Sequence, residues 1–154
     1  MENRYLNINA HLAEEVLSRG LIREFQAFVA LKATAKGCGA YFRPKEKAAD
    51  RARRMCGIES PRTMKRRLRK LVSLGWLGVG PDGTMYVRPM RRLCEMYGIQ
   101  SRTVHQVSVP AVVTTGRSFR AALFSIAVGK MISDREFALV RNMRRTHPRA
   151  SPAH

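Results

Sequence analysis

Residues 57–89 encode a tight turn, a strongly basic amphipathic helix and a short hairpin, and this order constrains the fold more than any other segment. Ser60-Pro61 predicts a helix start, because serine is a favoured cap and proline is favoured at the first helical position. The helix is predicted over 61–74, and Gly75 is expected to end it. Two β-prone runs then flank an Asp-Gly turn, which predicts a hairpin over 76–88.

The predicted helix 61–74 has one apolar arc and one cationic face. Its cationic face contains no acidic residue, so ion pairs within the helix cannot neutralise it. We therefore expect this face to meet an external anion. The apolar arc consists of Met64, Leu68, Leu71 and Val72, and the opposite face with its flanks consists of Arg62, Thr63, Lys65, Arg66, Arg67, Arg69, Lys70 and Ser73.

The charge of the whole chain points to the same kind of partner. In 154 residues, 29 Lys and Arg stand against 11 Asp and Glu, a formal net charge of +18. Such an excess repels itself unless a polyanion neutralises it. Nucleic acid is favoured over an anionic membrane, because the basic residues share a segment with turn and hairpin signals. The segment 1–36 carries a net charge of only +1, whereas 43–74 and 88–154 each carry 12 basic and 3 acidic residues.

Other chemistries find little support in the sequence. Cys38, Cys56 and Cys94 include no CxxC pair, so we expect reduced thiols and neither a zinc site nor a disulfide framework. The acidic residues form no catalytic pair and the histidines have no ligand spacing. We accordingly expect no enzyme activity, no cofactor and no metal. No apolar run is long enough to span a bilayer and no signal peptide is predicted, so a cytoplasmic, nucleoid-associated protein is expected.

The predicted fold class is mainly α with a small β-hairpin. Helical periodicity and glycine stops predict the helices, and alternation of apolar and polar residues predicts the strands. Phe25, Phe28 and Trp76 are expected in the core. Along the chain we predict a strand over 5–9, helices over 10–19 and 21–36, a loop over 37–44, a helix over 46–56, a helix over 90–97, a strand over 104–109, helices over 118–131 and 133–145, and a disordered tail over 146–154.

The order of helices over 21–36, 46–56 and 61–74, followed by the hairpin, resembles the winged helix-turn-helix family. The resemblance covers residues 21–88 and rests on Gly57-Ile58, Ser60 to Thr63, and the phrase Leu74-Gly75-Trp76-Leu77 before the hairpin. It implies that 61–74 is the recognition helix.

The resemblance also implies roles for individual residues. Arg62, Thr63 and Arg66 would face base edges in the major groove, and arginine is the usual reader of guanine. The hairpin turn carries no Lys or Arg and includes Asp82, so we expect it to act more as scaffold than as a DNA contact. Phosphate contacts are expected from Lys65, Arg67, Arg69 and Lys70, and further backbone contacts from Arg43, Lys45 and Lys47.

The expected organisation is a winged helix-turn-helix domain over 1–89, which includes the N-terminal strand and helix, a helical extension over 90–145 and the tail. The extension would supply a homodimer interface or a second basic surface. The leading hypothesis is a protein that binds double-stranded DNA sequence-specifically and regulates transcription, encoded by a phage, plasmid or other mobile element. Two alternatives stay open: a replication-initiation or plasmid-maintenance factor, and a packaging or virion-associated protein that binds nucleic acid without sequence preference.

Overall fold

The structure, a computed structural model, describes residues 5–34, 41–43, 47–100, 104–108 and 119–128. The chain is mainly helical with small antiparallel sheets, as the sequence predicted. Residues 119–128 are also helical and are called the 119–128 helix below. The other elements are β1 (Tyr5–Asn9), α1 (Ala10–Ser18), α2 (Ile22–Thr34), β2 (Tyr41–Phe42), α3 (Ala48–Met55), α4 (Pro61–Leu74), β3 (Leu77–Val79), β4 (Met85–Val87), α5 (Met90–Met96) and β5 (Val104–Ser108).

Four of the predicted helix stops are confirmed by one recurring cap. The glycine after the helix adopts a positive φ, and the amide of the next, apolar residue bonds to the carbonyl five positions back. After α4, Gly75 has φ 80° and the amide of Trp76 donates to the carbonyl of Leu71 at 3.0 Å. Because any other residue in this conformation costs about 1–2 kcal/mol, glycine fixes where each helix ends. The other three caps are at Gly20, Gly57 and Gly98.

The predicted hairpin forms the larger sheet, with strand order β2-β4-β3. Leu77 pairs with Val87 and Val79 with Met85 across the hairpin. The predicted loop over 37–44 is wrong at Tyr41–Phe42, which forms β2 against the other edge of β4. Aromatic residues favour strands. In β2 the side chain of Phe42 is buried in the core, with only 2% of it exposed.

The second sheet joins two distant parts of the chain. β1 and β5 pair antiparallel over five residues, from Tyr5 opposite Ser108 to Asn9 opposite Val104. Asn9 then caps α1, because its side-chain oxygen accepts the amides of His11 and Leu12. Both strands were predicted from the sequence, but their pairing was not.

Trp76 lies at the centre of the core and is fully buried. Its ring packs edge-on against Phe25 and Phe28 of α2 and against Tyr97 after α5, with centroids 5.9–6.5 Å apart. Its indole nitrogen donates to the Tyr97 hydroxyl at 3.2 Å, and its carbonyl accepts the Arg88 amide at 3.1 Å. The predicted burial of Phe25, Phe28 and Trp76 is therefore confirmed.

One hydrophobic cluster contains residues from both sides of position 89. Leu93 of α5 and Phe119 and Leu123 of the 119–128 helix are fully buried in it. Phe119 lies 5.9 Å from Phe25, measured between ring centroids. Among the described residues, no helix is long and apolar enough to cross a bilayer. The helix predicted over 133–145 and the tail over 146–154 lie outside the described residues.

Replacing Trp76 with alanine is expected to lower the free energy of unfolding by about 3–5 kcal/mol, because a large buried ring is lost from the junction of α2, α4 and the hairpin. Trp76→Phe keeps an aromatic ring and is expected to cost less. Urea unfolding followed by circular dichroism measures both losses. The control is Tyr86→Ala, which removes a half-exposed ring from the hairpin. Equal losses for Trp76→Ala and Tyr86→Ala would contradict the central role of Trp76.

Candidate nucleic-acid interface

Helix α4 is seated by its apolar side. Ser60 lies at the cap position with an extended backbone and Pro61 begins the helix, although the serine side chain makes no capping hydrogen bond. Met64 is 3% exposed and Leu71 is fully buried, and they hold the helix against α2, α3 and β3. The opposite side of α4 is thereby turned to solvent.

The solvent side of α4 carries a continuous band of cations, here called the α4 face. It consists of Arg62, Lys65, Arg66, Arg69 and Lys70, all exposed. Steps of three and four residues place their side chains in adjacent rows along the helix. Four of these residues and Pro61 line an open recess of about 430 Å³.

The α4 face has no ion-pair partner among the described residues. The ion pairs that the described residues do form lie in or next to α1, α3 and α5. They are Arg19 with Glu15, Arg53 and Arg54 with Asp50, and Arg91 and Arg92 with Glu95. The band therefore presents five positive charges that form no salt bridge within the described part of the chain. Such a surface attracts a polyanion at long range.

Two predicted site residues of α4 lie on its flank. Thr63 is half-buried, and so is Arg67. Burial lowers the pKa of the Arg67 guanidinium, and the charge of Glu24 on α2 opposes that shift. Arg67 thus lies close to α2, and it contributes less to the exposed surface than its position in the basic run suggested.

The three predicted contacts outside α4 are placed unequally. Lys45 lies outside the described residues. Lys47 is exposed at the start of α3 with a left-handed φ of 53°. Arg43 is exposed and directly follows Phe42, which pairs with Met85 at the start of β4. The pKa of Asp82 is lowered chiefly by the hydrogen bonds from Thr84, with a smaller contribution from the charge of Arg43. The structure thus brings Arg43 to the hairpin turn, which has no cation of its own.

The hairpin turn uses its acidic residue structurally. Asp82 accepts hydrogen bonds from the amide and the hydroxyl of Thr84, at 3.1 and 2.8 Å. The Gly80 amide bonds to the Thr84 carbonyl at 2.8 Å and closes the turn. Asp82 therefore shapes the turn.

The angle between α3 and α4 is held by one arginine that the sequence reasoning missed. The Arg53 guanidinium donates to the carbonyls of Ile58 and Glu59 at 2.8 and 2.9 Å. The same side chain donates to one oxygen of Asp50 at 2.9 and 3.1 Å and is only 16% exposed. These bonds tie the turn before α4 to α3. The available signal was the spacing of three between Asp50 and Arg53 just before the Gly57 turn.

Cys56 lies beneath α4 and has the character of a structural thiol. Its sulfur donates to the Gln26 carbonyl at 3.7 Å. Burial raises the pKa of the thiol to about 11, with a smaller opposing effect from the charge of Arg67. Over the described ranges, no three His, Cys, Asp or Glu side chains come together in a group that could hold a metal ion.

Comparison with known proteins gives no assignment for this geometry. No protein-family model matches the chain, and no curated protein or solved structure matches it. The α4 face and its surroundings are therefore the features of the chain that bear on function.

Replacing Arg53 with alanine is expected to lower the free energy of unfolding by about 1–3 kcal/mol, because two carbonyls lose a charged donor. Arg54→Ala is the matched control: it removes the same charge from the same helix and also breaks a pair with Asp50. Since Arg54 is 73% exposed, its loss should cost about 0–1 kcal/mol. Chemical denaturation of both variants measures the two losses in free energy of unfolding. Equal losses would contradict the role of Arg53 in tying the turn before α4 to α3.

The Cys56 thiol is expected to ionise near pH 11 in the folded chain, against about 9 for an ordinary thiol. Below pH 9 the thiol is neutral in both states; above it the unfolded chain ionises first, so stability from this group declines as the pH rises. Thiolate absorbance can be titrated in a Cys38→Ser/Cys94→Ser variant. Subtracting the curve of a variant that also carries Cys56→Ser isolates Cys56. A midpoint near pH 9 would contradict its burial.

Proposed function

We propose that this chain is a winged helix-turn-helix protein that binds double-stranded DNA and inserts α4 into the major groove. The observation that carries the proposal is the α4 face, with five exposed cations and no acidic partner among the described residues. The major groove is about 12 Å wide and admits one α-helix. Phosphates on both sides of the groove can then pair with the rows of the face.

Within the face, position decides the expected role. Arg62 and Arg66 lie near the N-terminal end of α4, the end that approaches base edges in helix-turn-helix docking. A guanidinium there can donate two parallel hydrogen bonds to guanine. Lys65, Arg69 and Lys70 are assigned to phosphates, which fix register without reading sequence.

The remaining predicted contacts receive smaller roles. Thr63 and Arg67 are half-buried, so they contribute at the edge of the interface. The hairpin acts as a wing that supports α4 more than it contacts DNA. Asp82, in its turn, is already engaged in hydrogen bonds with Thr84. Arg43 and Lys47 would touch the DNA backbone from outside the groove.

Transcriptional regulation in the cytoplasm, on the nucleoid, is the role proposed for such a reader, and a homodimer would match a two-fold symmetric operator. Non-specific binding is the second candidate, because residues 88–154 carry a further net charge of +9 outside α4. The two differ in whether binding depends on particular α4 side chains or only on total charge.

Replacing Arg66 with alanine is expected to weaken binding to a preferred duplex by about 1–3 kcal/mol, or roughly 5- to 150-fold, because a base contact is lost. Arg91→Ala is the matched control: it removes the same charge from α5, where Arg91 is 84% exposed. Fluorescence anisotropy at fixed salt measures both affinities, against a preferred and a random duplex.

The proposal requires the Arg66 change to act mainly on the preferred duplex and the Arg91 change to act weakly on both. Equal, small losses for the two variants on both duplexes, together with a steep dependence of affinity on salt, would identify a non-specific binder. No measurable duplex binding by the unaltered protein at low salt would overturn the proposal itself.

A further inference from the structure

A groove runs between α4 and the wing, and its apolar walls have no role in the proposed DNA contact. Leu68 and Val72, one turn apart on α4, form one wall. Leu77, Val79 and Met85 of the hairpin form the other. The groove encloses about 400 Å³, and Lys65 and Arg69 stand at its rim.

Two of the side chains that line the groove are apolar and exposed. The sequence placed Val72 in the apolar arc of α4; it is 41% exposed, and Val79 in the hairpin is 54% exposed. The apolar arc of α4 is therefore wider than the core that covers it. Two exposed apolar side chains that line the same groove offer a partner a joint apolar surface, which apolar residues scattered singly do not.

We propose that the groove between α4 and the wing binds an acidic amphipathic helix of another protein. Apolar side chains of that helix would fill the space between Val72 and Val79, and carboxylates beside them would pair with Lys65 and Arg69. This is the helix-in-groove mode, in which one apolar face docks and the flanking charges set the choice of partner.

Two other occupants fit less well. A second copy of this chain would bring its own excess of positive charge to a cationic rim, and like charges across an interface are unfavourable. DNA would place phosphates against apolar walls that offer no hydrogen bond. Asp82, in the turn next to the groove, accepts two hydrogen bonds from Thr84 and keeps its negative charge, so the two cations of the rim outnumber one nearby carboxylate.

Because Lys65 and Arg69 belong to both surfaces, docking would remove two cations from the α4 face. A helix in the groove would therefore compete with DNA, as an inhibitor of the reader would. This competition rests on the proposed function, whereas docking itself does not.

The test uses a synthetic, fluorescently labelled peptide of about 15 residues, long enough to form a helix, with leucines along one face and glutamates beside them. The full-length protein is expected to bind it in an anisotropy titration. A peptide with lysine in place of each glutamate should not bind. The double variant Val72→Ser/Val79→Ser should weaken peptide binding by about tenfold or more, or roughly 1.4 kcal/mol, and leave duplex binding unchanged.

The matched control is Met96→Ser/Phe124→Ser, which removes two exposed apolar side chains outside the groove and should leave peptide binding unchanged. Lys65→Ala/Arg69→Ala should weaken both the peptide and the duplex, and the peptide should displace bound duplex. Displacement failing while the peptide and the duplex each bind would overturn the competition.

Several outcomes would overturn the docking site. They are no binding of the acidic peptide, equal binding of the acidic and lysine peptides, and an unchanged affinity of the Val72→Ser/Val79→Ser variant. A change in sedimentation of that variant alone would assign the groove to a second copy, and a loss of duplex binding alone would assign it to DNA. A peptide that binds while duplexes do not would instead overturn the proposed function and leave the docking site standing.

Discussion

Trp76 holds helix α4, the hairpin and helix α2 together. Its backbone amide closes the cap that ends α4, its carbonyl accepts the amide of Arg88 directly after β4, and its buried ring fills the space between α2 and Tyr97. Helix, hairpin and core are thereby joined at a single residue. Met64 and Leu71 hold the apolar side of α4 against this core, so the mutually repelling cations of the helix are turned to solvent.

The basic residues divide into two groups with different physical roles. Arg53 stabilises the fold, because its guanidinium donates hydrogen bonds to the turn before α4 and to Asp50. The α4 face has no such partners in the described residues and stays available to a ligand. Total charge alone does not distinguish the two groups. The distinction matters because only cations without internal partners can exchange their counterions for phosphates without loss of structure.

Short local sequence signals correctly predicted many of the helix and strand boundaries. Ser60-Pro61 and Gly75 bounded α4, the Asp-Gly turn marked the hairpin, and the glycine stops held wherever the structure describes them. What the sequence could not predict is decided by tertiary contacts. Tyr41–Phe42 is too short for a periodic pattern, and the pairing of β1 with β5 joins ends far apart in the chain. The exposure of Val72 depends on where the hairpin stops covering α4. The hydrogen bonds of Arg53 depend on carbonyls that only the folded turn brings within reach.

Base reading by α4 is the property proposed for this chain. It is tested most directly by selecting bound duplexes from a random pool with the full-length protein at physiological salt. We expect enrichment of one short motif that contains guanines, the bases that arginine reads by paired hydrogen bonds in the major groove. A selected pool with the base composition of the starting pool, recovered from a protein that binds duplexes tightly, would contradict it.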